Sequence, residues 1–145
     1  MIELTARRTA PIAQRIGAPL GVAAAVAVVC AVVWWADPTT PGGLIPGCPT
    51  KLLLGIDCPG CGSSRMLYSL LHGNLLAAAK FNALGLMALA LLAWTYAAWV
   101  YGRVVGRRIW SWQHHRWAPS GMLVLVLAWS VVRNLPFGPF PALRV

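Results

Sequence analysis

The chain reads as an all-α integral membrane protein with three transmembrane helices, and three observations carry that reading. Its 145 residues are 59% apolar and only 10% charged, against about 25% charged residues in ordinary soluble domains. Three stretches, Ile16 to Ala36, Phe81 to Gly102 and Trp117 to Val132, contain no Asp, Glu, Lys, Arg or His. The basic residues all fall outside those stretches, most of them before the first and between the second and third.

At a rise of ~1.5 Å per residue, about 20 helical residues cross a hydrocarbon core of ~30 Å. The first two stretches are long enough by themselves. The third spans only if Arg133 snorkels to the interface and Leu135 to Phe137 prolong the apolar run. The expected organisation is therefore a basic tail (1–15), a single membrane domain (16–136, with spans about 16–36, 81–102 and 117–135) and a C-terminal tail (137–145). The first stretch is expected to be an uncleaved anchor, because it exceeds a usual signal-peptide core and no clear small-x-small cleavage site follows it.

A net charge of +9 would suggest nucleic acid in a soluble protein; here it is read as topology, with no nucleic-acid partner. Arg7, Arg8 and Arg15 precede the first span, and Arg103, Arg107, Arg108 and Arg116 fill the loop between the second and third. The positive-inside rule then places the N-terminus and that loop in the cytoplasm. The first loop, with Lys51, Arg65 and Lys80 thinly spread, faces outward with the C-terminal tail.

The elements follow in order. The first helix ends at Trp34-Trp35, suited to the interfacial aromatic belt, and Asp37-Pro38 stops it. Residues 37–62 hold five prolines and six glycines, which predicts turns and loop without helix. Ser63 or Ser64 can cap a short helix, Arg65 to Leu71, with Met66, Leu67, Leu70 and Leu71 on one face. Gly73 can end it in a left-handed conformation, and Asn74 can cap Leu75 to Lys80. Residues 64–80 thus form a bent amphipathic pair at the outer interface. Tyr96, Trp99 and Tyr101 mark the cytoplasmic end of the second span, and Trp110, Trp112 and Trp117 hold the basic loop against the membrane.

The chemistry is concentrated in the first loop, where Cys48, Cys58 and Cys61 lie within fourteen residues. Three readings stand. Cys58 and Cys61 can cycle between dithiol and disulfide with Cys48 as resolving thiol, aided by a helix N-terminus that favours thiolate. Cys48, Cys58, Cys61 and His72 can instead supply the four ligands of a tetrahedral zinc site. Or Cys48 joins Cys58 or Cys61 in a structural disulfide closing a loop of about 10–13 residues, worth ~2–4 kcal/mol. An outward, oxidising location favours the disulfide. Cys30, mid-span, is an inert core residue.

Arg65 and Arg133 both defy the positive-inside trend. Structurally, Arg65 would pair with Asp57 or Asp37 and Arg133 would cap loop carbonyls. Functionally, Arg65, His72 and Arg133 would line a pocket for an anionic group such as a lipid phosphate. His114-His115 belong to the interfacial loop. Only Glu3, Asp37 and Asp57 are acidic, and no Ser-His-Asp set, H-E-x-x-H or phosphate-binding glycine loop is present. Two-carboxylate hydrolysis and proton-coupled transport through the spans are thereby disfavoured.

Gly47-Cys48-Pro49, Gly55-Ile56-Asp57-Cys58-Pro59-Gly60-Cys61-Gly62-Ser63-Ser64-Arg65, Leu70-Leu71-His72-Gly73-Asn74-Leu75, Phe81-Asn82 and Arg133-Asn134-Leu135-Pro136 resemble a domain of unknown function found in small bacterial membrane proteins. The resemblance covers roughly Trp35 to Pro136. This chain departs from the pattern at Asn74, where the family often has Asp, and at Ala83, where it often has Pro. The resemblance implies a small bacterial integral membrane protein with Cys48, Cys58, Cys61, Arg65, His72 and Arg133 at family positions, and implies no reaction.

The sequence therefore leads to an expected non-catalytic protein of the bacterial plasma (inner) membrane. Its cysteine-braced outer loop would bind a lipid headgroup or a partner membrane protein, including a second copy of itself, without a cofactor. The alternatives are a thiol–disulfide exchanger using Cys58 and Cys61 and a zinc-binding protein.

Overall fold

A computed structural model describes residues 12–40, 48–106, 111–112 and 115–135. Five helices follow one another: α1 (Ile12–Ala36), α2 (Pro49–Leu54), α3 (Ser63–Leu71), α4 (Leu75–Val105) and α5 (Ala118–Asn134). No strand occurs among the described residues. α3 packs chiefly against α4, α1 touches both, and α5 meets α4 sparsely.

The distribution of polarity is inverted relative to a water-soluble domain. Buried apolar residues are few (Val33, Ala36, Cys61, Met66 and Ala78), whereas Asp57, Ser69, Asn82, Ser111 and Arg133 are all buried. Leu20, Val28, Trp35, Leu92, Trp94, Val124 and Val131 face outward. Two helices, Ile16–Ala36 within α1 and Leu75–Val105, are long and apolar enough to cross a membrane, and only 11% of each apolar window is buried. A core helix of a soluble protein would be mostly buried. α5, at 17 residues, is about 25 Å long. Its backbone leaves the helix at Leu135, so the expected prolongation through Leu135 is not helical, and Pro136 and Phe137 lie outside the described residues.

Several boundaries moved. α1 begins at Ile12, four residues before the expected start, so the last part of the expected tail is helical. It ends at Ala36, as Asp37-Pro38 predicted. Asp37 adopts a left-handed backbone (φ 37°) that Asp tolerates through local hydrogen bonding. Its carboxylate accepts from the Thr39 amide and hydroxyl and from the Thr40 hydroxyl. The Thr39 hydroxyl contact is the main cause that holds Asp37 below the usual carboxylate range.

Residues 37–62 were expected to be free of helix, yet α2 forms at Pro49–Leu54. Proline occupies its first turn, where a missing N–H costs nothing, and Gly55 (φ 66°) closes it. Leu52, Leu53 and Leu54 on this short helix are 75%, 83% and 68% exposed. α3 starts at Ser63, with Gly62 (φ 81°) as its N-cap and no side-chain cap, so neither serine fills the expected capping role. The C-terminal expectations held: Gly73 is left-handed (φ 74°), and the Asn74 side chain accepts the Ala77 N–H at 2.9 Å.

Within α4, Asn82 is extended (φ −162°, ψ 88°) and breaks the helix one residue after the expected start of the second span. The break is capped from within. Asn82 Oδ1 accepts the Gly85 N–H at 2.8 Å, the geometry of an N-cap for the segment that follows. Gly85 also lets α3 approach: a Cβ there would lie 3.1 Å from both Met66 Sδ and Asn82 Cγ.

Asn82→Ala should lower unfolding stability by about 2–4 kcal/mol through loss of the cap and buried donors. Asn82→Ser, which keeps a capping oxygen but not the amide donors, should lose roughly half as much. Thermal denaturation of both variants in detergent measures the difference; equal losses would show that the cap contributes nothing.

Candidate functional site

The Cys58–Cys61 segment folds as a tight turn. Cys61 N–H donates to Cys58 O at 3.0 Å and Ser63 N–H to Gly60 O at 3.1 Å. Cys58 N–H points at Cys61 Sγ, 3.2 Å away. This is the knuckle-like arrangement that a Cys-Pro-x-Cys-Gly segment predicts. Cys48, at the N-cap of α2, brings a third sulfur to the turn. Cys48 Sγ lies 3.3 Å from Cys58 Sγ, and Cys58 Sγ lies 3.1 Å from Cys61 Sγ. All three sulfurs fall within 4.8 Å of one another, and all are thiols. The angle at Cys58 is consequently no larger than about a right angle, so the sulfurs form a triangle.

The three thiols are electrostatically unequal. Hydrogen bonding from Cys58, with the Lys51 amide aimed at the sulfur from the start of α2, lowers Cys48 to about 6. That amide approaches without closing a capping hydrogen bond. Cys61 is pushed up to about 12, mainly by burial; it is 5% exposed while Cys48 and Cys58 are half-buried.

Three side chains from α4 and α5 hold this turn in place. Asn82 Nδ2 donates to Pro59 O at 3.0 Å and lies 3.1 Å from Ser63 Oγ and 3.4 Å from Cys61 O. Arg133, fully buried, donates from one terminal nitrogen to Cys61 O at 2.7 Å and from the other to Phe81 O at 3.3 Å. Its guanidinium carbon lies 5.8 Å from the centre of the Trp129 ring. Asn134 takes both backbone groups of Asp57: it accepts the N–H at 2.9 Å and donates to the carbonyl at 2.8 Å, while also reaching Ser130 O at 2.8 Å.

The remaining expected site residues lie elsewhere. His72 ends α3, whereas the thiols lie just before its start, so the nine-residue helix separates them by about 13 Å. The His72 ring stacks on Trp34 at 4.0 Å and 15°, tilts against Tyr68 at 4.1 Å, and holds Nδ1 2.9 Å from Tyr68 O. It is not gathered with the cysteines as a fourth ligand. Arg65 does not pair with either carboxylate; its Nε donates to Pro38 O at 3.1 Å, tying α3 to the end of α1. Asp57 instead pairs with Lys51, Nζ to Oδ1 at 3.1 Å, in a geometry off the hydrogen-bond direction. Arg133 caps loop carbonyls as expected, and its complete burial removes it from the pocket expected for an anionic headgroup. Asn82 and Asn134 were missed as site residues. A readable signal existed for the first: an Asn three residues before Gly85 inside an apolar run is an N-cap written where a span should continue.

The apolar exterior, polar interior and sulfur-bearing turn define a small all-helical protein with two candidate membrane spans and a three-cysteine site. Residues 48–96 match the family described as a protein of unknown function (DUF2752). The match contains the three clustered cysteines and Asn82 and ends before α5, so Arg133 and Asn134 come from outside it. No curated protein and no solved structure matches the chain significantly.

Two outcomes follow for the metal-free protein. With Cys48 lowered to about 6, its alkylation by iodoacetamide should track a thiolate fraction that is half-maximal near that pH, and Cys48 should be the first thiol modified at neutral pH. Peptide mapping of a short reaction checks this; equal labelling of Cys61 would contradict it. Arg133→Met removes the short donor to the Cys61 carbonyl and the donor to the Phe81 carbonyl and should cost about 2–4 kcal/mol. It should also open Cys61 to the same reagent under native conditions.

Proposed function

We propose that this is a three-span bacterial plasma-membrane protein whose functional element is a metal–thiolate site of the zinc class, built from Cys48, Cys58 and Cys61 on the outer face. The observation that carries this reading is the triangle of three sulfurs, all within 4.8 Å of one another. A tetrahedral ion with metal–sulfur distances of about 2.3 Å sits against such a triangle with small side-chain adjustments. A disulfide would use two of the three sulfurs and leave the third odd. Exchange at Cys58 is also poorly served, because an attacking thiolate approaches in line with the bond it breaks and the sulfurs here are bent. A bound metal uses all three.

The expected role of the cysteines as a brace loses its physical need. Arg133, Asn82 and Asn134 already tie the turn to α4 and α5, leaving the sulfurs available for a ligand. Buried donors on the backbone of the turn favour the negative charge that three thiolates bring to one ion.

The membrane arrangement is supported by where the helix ends meet. The C-terminal end of α1 reaches α3 through Trp34 and His72, α4 breaks at Asn82 beside the turn, and α5 ends there at Arg133. α1 and the long part of α4 therefore run toward and away from one boundary, with α5 returning to it. The arginines before α1 and between α4 and α5 favour a cytoplasmic location for the opposite boundary.

Protein purified in detergent with reductant should carry zinc at one equivalent, lost in Cys61→Ser and retained in Cys30→Ser, by elemental analysis. A metal-free protein with a reducible Cys58–Cys61 bond would replace this reading with thiol exchange. Labelling of intact cells with a membrane-impermeant thiol reagent, after metal removal, should reach Cys48; protection until lysis would reverse the topology.

A further inference from the structure

Three thiolates leave a four-coordinate ion one ligand short, and the described residues show which side chains stand near enough to supply the fourth. The sequence contains four cysteines, three histidines and three acids. Among the described residues, no imidazole or carboxylate joins the three sulfurs within 4.8 Å. His72 is at the far end of α3, stacked on Trp34. His115 precedes α5, whose opposite end carries Arg133 beside the turn, so the 17-residue helix keeps His115 about 25 Å away. His114 lies outside the described residues.

The acids are no better placed. Asp37 is engaged by Thr39 and Thr40, and the Asp57 carboxylate faces Lys51. Glu3 lies outside the described residues. Cys30 lies within α1 and outside the cluster. The segments flanking the site in sequence, 41–47 and 136–145, contain no Cys, His, Asp or Glu.

We infer that the site binds its metal through three thiolates alone and keeps its fourth position open to an exchangeable donor from outside the chain. This inference rests on the metal reading above. Structural zinc sites are closed by four protein ligands, whereas sites that act on a ligand keep one position free. Here the open side is the one flanked by half-buried Cys48 and Cys58, since Cys61 is buried beneath them.

Charge selects the class of donor. Three thiolates around a divalent ion carry a net charge of −1, and the buried Arg133 guanidinium, 2.7 Å from the carbonyl of Cys61, balances it. A neutral donor preserves that balance; a fourth thiolate adds an uncompensated charge where burial makes charge costly. Water at rest, displaced by a neutral nitrogen donor of the imidazole class, fits the site best. Free imidazole and a histidine presented by another protein share this chemistry.

Cobalt(II) loaded into the full-length protein in detergent tests the inference, because its thiolate charge-transfer absorption counts sulfurs and its d–d bands report the remaining ligand. The expected result is the intensity of three thiolates, with d–d bands that shift saturably as imidazole is added, identically in wild type and His72→Ala. Glutathione should shift them less readily than imidazole; equal or tighter response to the thiol overturns the charge argument. Full charge-transfer intensity with d–d bands unmoved by imidazole overturns the open position while leaving the metal reading intact. A changed resting spectrum in His72→Ala overturns it as well, by making His72 the fourth ligand. Absence of any charge-transfer band overturns both.

Discussion

A guanidinium buried at the end of α5 and a break in α4 depend on each other, and the cysteine turn depends on both. In an uninterrupted helix the Phe81 carbonyl would accept the Gly85 N–H. Here Asn82 is extended and its own side chain takes that N–H at 2.8 Å, so the Phe81 carbonyl is orphaned by the break. Arg133 supplies the missing donor at 3.3 Å and reaches the Cys61 carbonyl at 2.7 Å with its other nitrogen. A buried cation with no acceptors is expensive, and an orphaned buried carbonyl is expensive too. Each offsets the other, and the Cys61 segment is drawn between them.

The same economy explains why the interior is polar while the exterior is apolar. Where candidate spans face lipid, apolar side chains would gain little by facing inward, and packing would be governed by satisfying backbone groups that no water can reach. Asn82, Arg133 and Asn134 each serve backbone groups of the loop between α2 and α3 or of a helix end. A loop held this way does not need a covalent tie. That is consistent with the proposed use of the cysteines as ligands.

What the residues disclosed in advance follows from the range of the interactions involved. Gly73 and Asn74 act within one turn of the chain, so their left-handed and capping roles were legible. Arg133 was legible as a group that must find carbonyls, because a cation beyond an apolar run has few other partners. Which carbonyls, and the linkage of Asn134 to Asp57 across 77 positions, depend on tertiary placement that no local pattern encodes. His72 was drawn into the site by its nearness in sequence, yet a helix converts nearness along the chain into distance along its axis. α2 escaped notice because Pro and Gly, read as loop residues, here occupy the two helix ends where each is favoured.

The family segment ends at residue 96, yet the turn it contains is held by two residues of α5. α5 meets α4 sparsely along its length, so much of what fixes it is gathered at its last turn, in Arg133 and Asn134. Under the proposed metal reading, ligation of the sulfurs and docking of α5 would be linked. A ligand that rigidifies the Asp57–Cys61 backbone strengthens the acceptors that Arg133 and Asn134 use, and by reciprocity a well-docked α5 strengthens the ligand's hold. Loss of the ligand would loosen one end of one helix while leaving α3 and α4 packed through Met66, Ala78 and Gly85. The site is therefore also a joint. A metal bound there, as proposed, would set how firmly the final helix is seated against the rest.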